Sequence, residues 1–268
     1  MQHAVHIMGI LNVTPDSFSD GGACSSRAAL MDRIDTLLAE GVGSIDVGGE
    51  STRPFAKPVS VKEELQRVLP AIRAIRARSS SLPISIDTTK GRVAAEALAA
   101  GATMINDISA LQHDPDMIRV VAGSMGPVII MHMQGNPATM QLQPSYQDVV
   151  AEINGFFTER ISSLVEQGIE QSRIIIDPGI GFGKTLEHNL TILRNINVFK
   201  QHGCPVLIGH SRKSFFGRLL DLPVAERDWP TAVVSAFCAR QGVDILRVHD
   251  VRATRMALTL ESALRSDH

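Results

Sequence analysis

The chain has 268 residues, of which 44% are hydrophobic and 20% are charged, and its formal net charge at pH 7 is −2. This length is close to the roughly 250 residues of a typical eight-stranded α/β barrel, and it can bury a core without disulfides or metals. The near-neutral charge excludes a bulk electrostatic attraction to nucleic acid or to anionic membranes.

The cysteines and the amino-terminal segment indicate a cytoplasmic protein. Cys24, Cys204 and Cys238 have neither a CxxC motif nor metal-ligand spacing, which is typical of reduced thiols in the cytosol. The first residues, MQHAVHIMGILNV, lack the basic region of a signal peptide and are too few to span a membrane. We therefore expect this segment to form a buried strand.

Eight short apolar runs, rich in Ile and Val, recur along the chain. They are too apolar for a clear alternation with polar residues, as is typical of parallel strands covered on both faces. The predicted strands are His6–Val13, Ser44–Val47, Pro83–Ile86, Thr103–Ile105, Pro127–Met131, Arg173–Ile176, Pro205–Ile208 and Asp244–Val248.

Segments of helical length separate these runs. In Val61–Arg78 and in Tyr146–Gln167, apolar residues recur every three or four positions. The alternation of strand and helix predicts a parallel sheet, and eight units predict a single (β/α)8 barrel domain over residues 1–268 with long loops after strands 1 and 2. A doubly wound open sheet is the structural alternative.

Polar residues gather at the predicted strand ends, whereas the strand starts follow unreactive connectors. In a (β/α)8 barrel, the carboxyl ends of the strands and the loops after them build the active site. We therefore predict that these side chains converge at one barrel mouth, although polar residues can also simply mark strand boundaries. The residues concerned are Asn12, Asp87, Asn106, His132, Asp177, Arg247 and His249.

Three loops after predicted strands stand out. Asn12–Gly22 and Gly48–Pro58 are polar and rich in turn residues, and loops of this length in a compact domain are usually functional. Gly209–Ser214 opens a helix and brings the positive charges of Arg212 and Lys213, which favours an anion there.

The segment Asp177–Thr185, DPGIGFGKT, has the lysine and threonine of a nucleotide phosphate loop but not its spacing. Such a loop needs a glycine five positions before the glycine of its GK pair, and Pro178 stands there. HxxxH and HExxH patterns are absent from the sequence as well. Neither a nucleotide phosphate loop nor a metal caged by the protein is therefore predicted.

Seven ordered motifs at these strand ends resemble those of dihydropteroate synthases, in the pterin-binding barrel family. The resemblance runs from about Ile7 to Leu264. It implies a transferase of folate synthesis, a sulfonamide target, that joins 6-hydroxymethyl-7,8-dihydropterin diphosphate to p-aminobenzoate and releases pyrophosphate and 7,8-dihydropteroate. The motifs are MGILNVTPDSFSDGG (8–22), IDVGGESTRP (45–54), SIDTTK (85–90), INDIS (105–109), IIDPGIGFGKT (175–185), SRKS (211–214) and RVHDV (247–251).

The resemblance assigns a pterin site. The amino-pyrimidinone edge of a pterin presents two parallel N–H donors, and one carboxylate can accept both. The family pattern implies Asp177 in this role, Lys213 as a donor to the ring carbonyl, and apolar contacts to the ring faces. The implied pterin residues are Asp87, Asn106, Ile108, Met131, Asp177 and Lys213.

The resemblance also assigns the diphosphate and its metal. It implies Asn12, Arg247 and His249 as diphosphate ligands, with Mg²⁺ bridging the diphosphate to Asn12. Magnesium usually keeps several waters and takes few protein ligands, so a missing carboxylate cage does not contradict this expectation.

The remaining implied roles lie mostly on the loops. Around p-aminobenzoate the resemblance implies Phe18, Pro54, Phe182, Lys213 and Ser214. The implied catalytic residues are Asp20, Thr52, Arg53 and Lys213. No nucleophile is evident, so we hypothesise an SN1-like step in which pyrophosphate leaves first and Asp20 stabilises the pterin cation while the loops exclude water.

Other functions remain open at this point. A pterin-binding methyltransferase shares the Asp–Asn–Asp pattern but needs neither SRKS nor RVH, and a catalytically silent pterin-binding paralogue or a purely structural barrel would not need the full set. The chain departs from the family pattern at Phe55 and Trp229–Pro230, which bears on kinetics and inhibitor response. Family members commonly pair through outer helices near the carboxyl terminus, so we expect a homodimer, for which the apolar face of Thr231–Arg240 is a candidate contact.

Overall fold

The computed structural model describes residues 4–14, 22–51, 58–135, 139–140 and 142–265, except for the side chains of residues 22–26. Eight parallel strands form one sheet in the order β6-β5-β4-β3-β2-β1-β8-β7. A bridge between Ile176 and Val206 joins the two ends of this order, so the sheet closes on itself. The strands are β1 His6–Asn12, β2 Ser44–Gly48, β3 Ile84–Asp87, β4 Met104–Asp107, β5 Val128–Met131, β6 Ile174–Asp177, β7 Leu207–Ile208 and β8 Ile245–Val248.

Helices follow the strands and cover the outside of the barrel. The predicted (β/α)8 barrel is therefore confirmed, and the open sheet is excluded because the bridge between Ile176 and Val206 joins the two ends of the strand order. The helices are α1 Gly22–Ala39, α2 Val61–Arg78, α3 Gly91–Ala99, α4 Pro115–Ala122, α5 Val149–Glu166, α6 Leu186–Arg194, α7 Ile196–Phe199, α8 Ser214–Leu220, α9 Asp228–Arg240 and α10 Val251–Arg265.

Two helix boundaries show how local capping sets the ends. Helix α2 has the predicted bounds, and the side chain of Ser60 accepts a hydrogen bond from the backbone N–H of Glu63 at its start. Helix α5 begins at Val149 rather than at the predicted Tyr146, because the Asp148 side chain caps it by accepting from two backbone N–H groups. Among the described residues, no helix is both long and apolar enough to cross a membrane.

The barrel interior is filled by one apolar layer below the carboxyl ends of the strands. Six strands each contribute one buried residue to this layer, and successive residues of a strand point to opposite faces. The next inward position therefore lies two residues further along each strand, one layer closer to the mouth. The layer consists of Met8, Met104, Ile129, Ile175, Leu207 and Ile245.

Candidate active site

The two-residue period places the predicted polar residues at the barrel mouth. Asn106, Asp177 and Arg247 each stand two positions after a residue of the apolar layer, so they point inward one layer above it. Because they come from β4, β6 and β8, only closure of the barrel brings them together. The prediction that polar strand ends converge is thus confirmed for these residues.

His132 is the exception. It follows the inward-facing Met131 by one position, so it points outward, and its ring packs edge-on against Phe156 of α5 with centroids 5.1 Å apart. Burial and, to a smaller extent, the nearby charge of Lys184 lower the pKa of His132 to about 3, so the ring is neutral. The expectation that His132 faces the mouth is wrong, because a shift of one residue reverses the face.

An ion network crosses the mouth. The Arg247 guanidinium donates through Nε to Asp46 Oδ2 at 2.6 Å and through Nη2 to Asp87 Oδ2 at 2.7 Å. Asn106 donates through Nδ2 to the same oxygen of Asp46 at 3.1 Å. One carboxylate thus orients an arginine and an amide from two other strands.

Asp46 is the functional residue that sequence reasoning missed. It lies inside β2, is fully buried and carries a second oxygen, Oδ1, without a hydrogen-bond partner among the described residues. A carboxylate only accepts hydrogen bonds, so its contact with Nδ2 turns the amide oxygen of Asn106 away from it, free to accept from a ligand. The available signal was a charged residue in an otherwise apolar strand, since an isolated charge is costly to bury.

Two glycines keep the space between these side chains open. A β-carbon at Gly48 would lie 3.6 Å from Asn12 Oδ1 and 3.5 Å from Asp87 Oδ2. A β-carbon at Gly209 would lie 3.6 Å from Asp177 Oδ2 and 3.9 Å from Arg247 Cδ. Polar atoms of three predicted site residues, Asn12, Asp87 and Asp177, and the stem of a fourth, Arg247, therefore line a volume that side chains at these two positions would fill.

Burial makes the carboxylates of this mouth easy to protonate. It raises the pKa of Asp87 to about 7, Arg247 opposes this effect, and the charge of Asp46 adds to it. Burial also raises the pKa of Asp177, while its hydrogen bond from the Gly179 N–H at 2.7 Å lowers it. In both carboxylates burial therefore favours the protonated form, and the nearby cations oppose it.

His249 lies just past the end of β8, two residues after Arg247, and is held by Ser211. The Ser211 hydroxyl lies 2.9 Å from His249 Nδ1 and accepts from the His249 backbone N–H at 3.1 Å. Burial and, to a smaller extent, the charges of Arg212 and Arg247 lower the pKa of His249 to about 3, so the ring is neutral. Sequence reasoning missed Ser211. It belongs to the SRKS motif, in which only Lys213 and Ser214 were predicted as site residues.

Lys213 and Phe182 form the opposite wall. The Lys213 ammonium stands 4.0 Å from the centroid of the Phe182 ring, a cation–π contact. The pKa of Lys213 is lowered to about 8. Burial is the main cause and Arg247 acts in the same direction, while Asp177 and Asp87 oppose them. The ring of Phe182 belongs to a small apolar cluster that includes two other predicted residues; its members are Ile108, Met131, Met140 and Phe182.

Other predicted residues are less informative. Ser214 is the first residue of α8, is exposed and follows Lys213 directly, and the structure does not bring its side chain to the residues named above. Five predicted residues lie outside the part of the chain that the structure describes: Phe18, Asp20, Thr52, Arg53 and Pro54.

The described residues hold little that would cage a metal ion. No group of three or more acidic, histidine or cysteine side chains among them is arranged for that purpose. Asn12 nevertheless offers a hard amide oxygen at the open space above Gly48. This donor set fits a magnesium ion that takes most of its ligands from water and a substrate.

Comparisons with known proteins agree with this geometry. A family model described as a pterin binding enzyme matches residues 8–249. Dihydropteroate synthase of Synechocystis sp. is 46% identical over 260 residues, covering 97% of this chain and 90% of the relative. The crystal structure of Yersinia pestis dihydropteroate synthase with a sulfonamide drug complex has a TM-score of 0.92 at 42% identity, covering 98% of this chain and 95% of that one. The structure of Xanthomonas albilineans dihydropteroate synthase with 4-aminobenzoic acid has a TM-score of 0.92 at 43% identity, and the match covers 98% of this chain and 94% of that one.

The charge of Asp46 predicts a measurable effect on Asp87. Because Asp46 raises the pKa of Asp87 by repulsion, Asp46→Asn removes that effect and lowers it, so Asp87 stays ionised to a lower pH than in the parent protein. A carboxyl-carbon NMR titration of Asp87 from pH 4 to 9 measures the shift. Asp32→Asn, an exposed aspartate of α1, is the control and should leave the titration unchanged. An unchanged or higher pKa in Asp46→Asn would contradict the network.

Proposed function

The chain belongs to the pterin-binding enzyme family, and we propose that it condenses 6-hydroxymethyl-7,8-dihydropterin diphosphate with p-aminobenzoate to give 7,8-dihydropteroate and pyrophosphate. The observation that carries this proposal is the open mouth with inward-facing carboxylates from separate strands, a cationic wall beside them and an apolar cluster above. That arrangement suits a flat polar heterocycle with an anionic substituent. The relatives named dihydropteroate synthase support the same assignment.

The pterin site uses the inward residues of three strands. Asp177 and Asp87 would accept from the amino-pyrimidinone edge, and the amide oxygen of Asn106, turned away from Asp46, would accept from a further ring N–H. Lys213 donates to the ring carbonyl, and Ile108 and Met131 contact the ring face. Each donor of the ring edge then meets a carboxylate or amide oxygen that can accept it.

The diphosphate would lie toward Arg247, His249 and Asn12. Arg247 keeps its charge although it is buried, because Asp46 and Asp87 raise its pKa well above its ordinary value. We propose that Asn12 Oδ1 holds Mg²⁺ together with the diphosphate and water. When bound, this ion would neutralise charge on the leaving group.

The reaction would begin with cleavage of the bond between the pterin methylene carbon and the diphosphate oxygen. The oxygen keeps the electron pair, pyrophosphate leaves, and the cation on the methylene is delocalised into the electron-rich pterin. The amino nitrogen of p-aminobenzoate then bonds to the methylene carbon and loses a proton. At an effective dielectric constant of about 20, a unit charge pair at 4 Å contributes roughly 4 kcal/mol, so fixed cations at the leaving group supply a large part of the barrier lowering.

The p-aminobenzoate ring would pack beside Phe182 and the stem of Lys213, with its carboxylate near Ser214 at the start of α8. We retain the catalytic roles of Asp20, Thr52 and Arg53 and the contacts of Phe18 and Pro54 as proposals from the family pattern. These five residues belong to the predicted loops Asn12–Gly22 and Gly48–Pro58. Such loops would keep water from capturing the cation.

The activity can be tested directly. We expect the purified protein to release pyrophosphate when it receives both the dihydropterin diphosphate and p-aminobenzoate, and to lose most of that activity when magnesium is removed with EDTA. A coupled pyrophosphate assay measures the rate, and mass spectrometry identifies the 7,8-dihydropteroate. Absence of product in both orders of addition would exclude this function. A methyl transfer from a methylated folate to a corrinoid would instead favour the methyltransferase alternative, and pterin binding without turnover would favour the silent paralogue.

Asp177→Asn should weaken pterin binding while leaving the fold intact. The variant keeps the size of the side chain but replaces one carboxylate oxygen, an acceptor, with an NH2 group, a donor that faces the N–H edge of the ring. Loss of one partner of a buried, charged hydrogen-bonded pair costs about 2–5 kcal/mol of binding free energy. Isothermal titration with a pterin measures the change, which corresponds to an affinity loss of at least about 30-fold. Asp32→Asn is the matched control. Near-normal affinity in Asp177→Asn would mean that the pterin edge is misplaced.

We also propose a cytoplasmic homodimer of this single-domain chain. One face of helix α9, which includes Thr231, is buried against the barrel. The other face carries an exposed apolar stripe of Trp229, Val233 and Phe237, which are 73%, 50% and 41% exposed. An apolar cavity of about 340 Å³ lies beside this stripe, between α6, α8 and α9. Apolar stripes on adjoining outer helices are typical of interaction surfaces.

The dimer is tested with charge in that stripe. The double variant Val233→Glu/Phe237→Glu should elute as a monomer in size-exclusion chromatography with light scattering, because two buried charges without partners oppose association. Met125→Glu changes another exposed apolar residue, 89% exposed, and should remain dimeric. A monomeric parent protein, or a dimeric double variant, would contradict this contact.

A further inference from the structure

Lys184 is a buried lysine to which the proposed reaction assigns no role. It stands in the DPGIGFGKT segment whose spacing excludes a nucleotide phosphate loop, and its side chain is only 1% exposed. Its ammonium contacts three acceptors: the Phe182 carbonyl oxygen at 2.9 Å, His132 Nδ1 at 3.1 Å and the His132 carbonyl oxygen at 3.3 Å. An ammonium group has three N–H donors, so each one has a partner.

The charged form of Lys184 fits its surroundings. Burial lowers its pKa to about 7, but Asp177 raises it, and three acceptors around one nitrogen match the three protons of the ammonium. The neutral ring of His132 can accept at Nδ1, as this contact requires. All donors of Lys184 are therefore used within the protein, which leaves none for a substrate.

The ammonium joins two backbone segments that lie directly against each other. A β-carbon at Gly179 would lie 2.0 Å from the His132 carbonyl oxygen, and one at Gly183 would lie 2.5 Å from the Gln134 carbonyl oxygen. Both glycines have positive φ, at +73° and +61°, which L side chains rarely adopt. Residues 178–184 thus reach the segment after β5 only as a glycine-rich loop. Lys184 is a polar link across this contact, and the Tyr146 hydroxyl, which donates to the Gly183 carbonyl oxygen at 2.9 Å, is another.

The loop carries the aromatic wall of the site. Phe182 lies between Gly181 and Gly183, so its neighbours offer no side chains to hold it, and its backbone N–H bonds to the Gly179 carbonyl at 3.1 Å. Its own carbonyl accepts from Lys184, while its ring lies under the Lys213 ammonium. Fixing the Phe182 backbone therefore fixes the ring against Lys213.

We propose that Lys184 is a positioning residue that holds Phe182 in place beside Lys213, and that it thereby shapes the site of the incoming aromatic amine. The second half of this statement rests on the proposed function, and the first half does not. Lys184 acts through Phe182 and does not touch the reacting atoms.

Hydrogen exchange tests the structural half without any substrate. In Lys184→Met, the amides of residues 179–184 should exchange at least about tenfold faster than in the parent protein, because the loop loses the hydrogen bonds of the ammonium to Phe182 and His132 and keeps the bond from Tyr146. The control is Lys200→Met, which removes a lysine that is ion-paired with Asp244 Oδ1 at 2.6 Å, and it should leave these amides unchanged. Unchanged protection of residues 179–184 in Lys184→Met would overturn the proposal.

A double-mutant cycle tests the functional half. We expect Lys184→Met to lower kcat/KM for p-aminobenzoate by about 10- to 100-fold, since a displacement of roughly 1 Å at a reaction site has effects of this size. In the Phe182→Ala background, Lys184→Met should have little further effect, because its target is gone. Additive effects of the two substitutions would mean that Lys184 does not act through Phe182, and this result would overturn the functional half.

A milder variant covers the case in which Lys184→Met does not fold. Lys184→Gln keeps two N–H donors on a shorter side chain, so residues 179–184 should exchange faster than in the parent protein and kcat/KM for p-aminobenzoate should fall, each by less than about tenfold. A fully parent-like Lys184→Gln with unchanged exchange would contradict the need for the ammonium. If the parent protein proves inactive with both substrates, the proposed function fails, while hydrogen exchange still decides whether Lys184 holds the loop.

Discussion

Arg247 is the cation that allows acidic side chains to share one barrel mouth. Asp46 is fully buried and the Asp87 side chain is 15% exposed, and a carboxylate charge in such a place is costly without a cation beside it. The guanidinium gives each of them a direct hydrogen bond, and its stem passes beside Gly209, opposite Asp177. Arg247 lowers the pKa of Asp87 against the effect of burial, so this one cation favours the charged form, which accepts hydrogen bonds from a ligand edge.

The same mouth needs empty positions as much as it needs charge. The inward period of two would put side chains at residues 48 and 209, directly among the polar atoms, but both are glycines. A flat ligand therefore enters a slot whose floor is the ion network and whose upper side is the apolar cluster around Met131 and Phe182. Shape and polarity have the same origin, since both follow from which residue of each strand points inward.

Much of this arrangement could be predicted from the sequence. Polar residues at the ends of apolar runs, together with the rule that parallel strands expose their carboxyl ends at one mouth, gave Asp87, Asn106, Asp177 and Arg247 correctly. The motif resemblance added Lys213 and Phe182, which the structure brings into contact. Such inferences succeed because the strand period and the barrel topology are set by backbone geometry and hold for any sequence that adopts the fold.

The failures have physical causes as well. Asp46 was missed because its partner Arg247 is 201 residues away, and no local pattern reveals a contact that only barrel closure creates. His132 was misplaced because the face of a strand residue depends on register, which a short apolar run does not fix. Lys184 belongs to the DPGIGFGKT segment, which was compared only with a nucleotide phosphate loop and rejected because its spacing differs. The role that we propose for Lys184 depends instead on three acceptors that the fold supplies from two separate segments.

Charge balance at the mouth bears on how an anion would be received. Three carboxylates, Asp46, Asp87 and Asp177, stand near three basic side chains, Arg247, Lys213 and Lys184, and the neighbouring His249 is neutral. A diphosphate entering this site adds negative charge that the existing pairs do not offset. It would raise the pKa of His249, since the cations that now lower it would be partly neutralised. A divalent cation at Asn12 would meet the same need, and before the anion arrives it would face the positive charges of Arg247 and Lys213. The metal that we propose therefore belongs to the state with bound diphosphate.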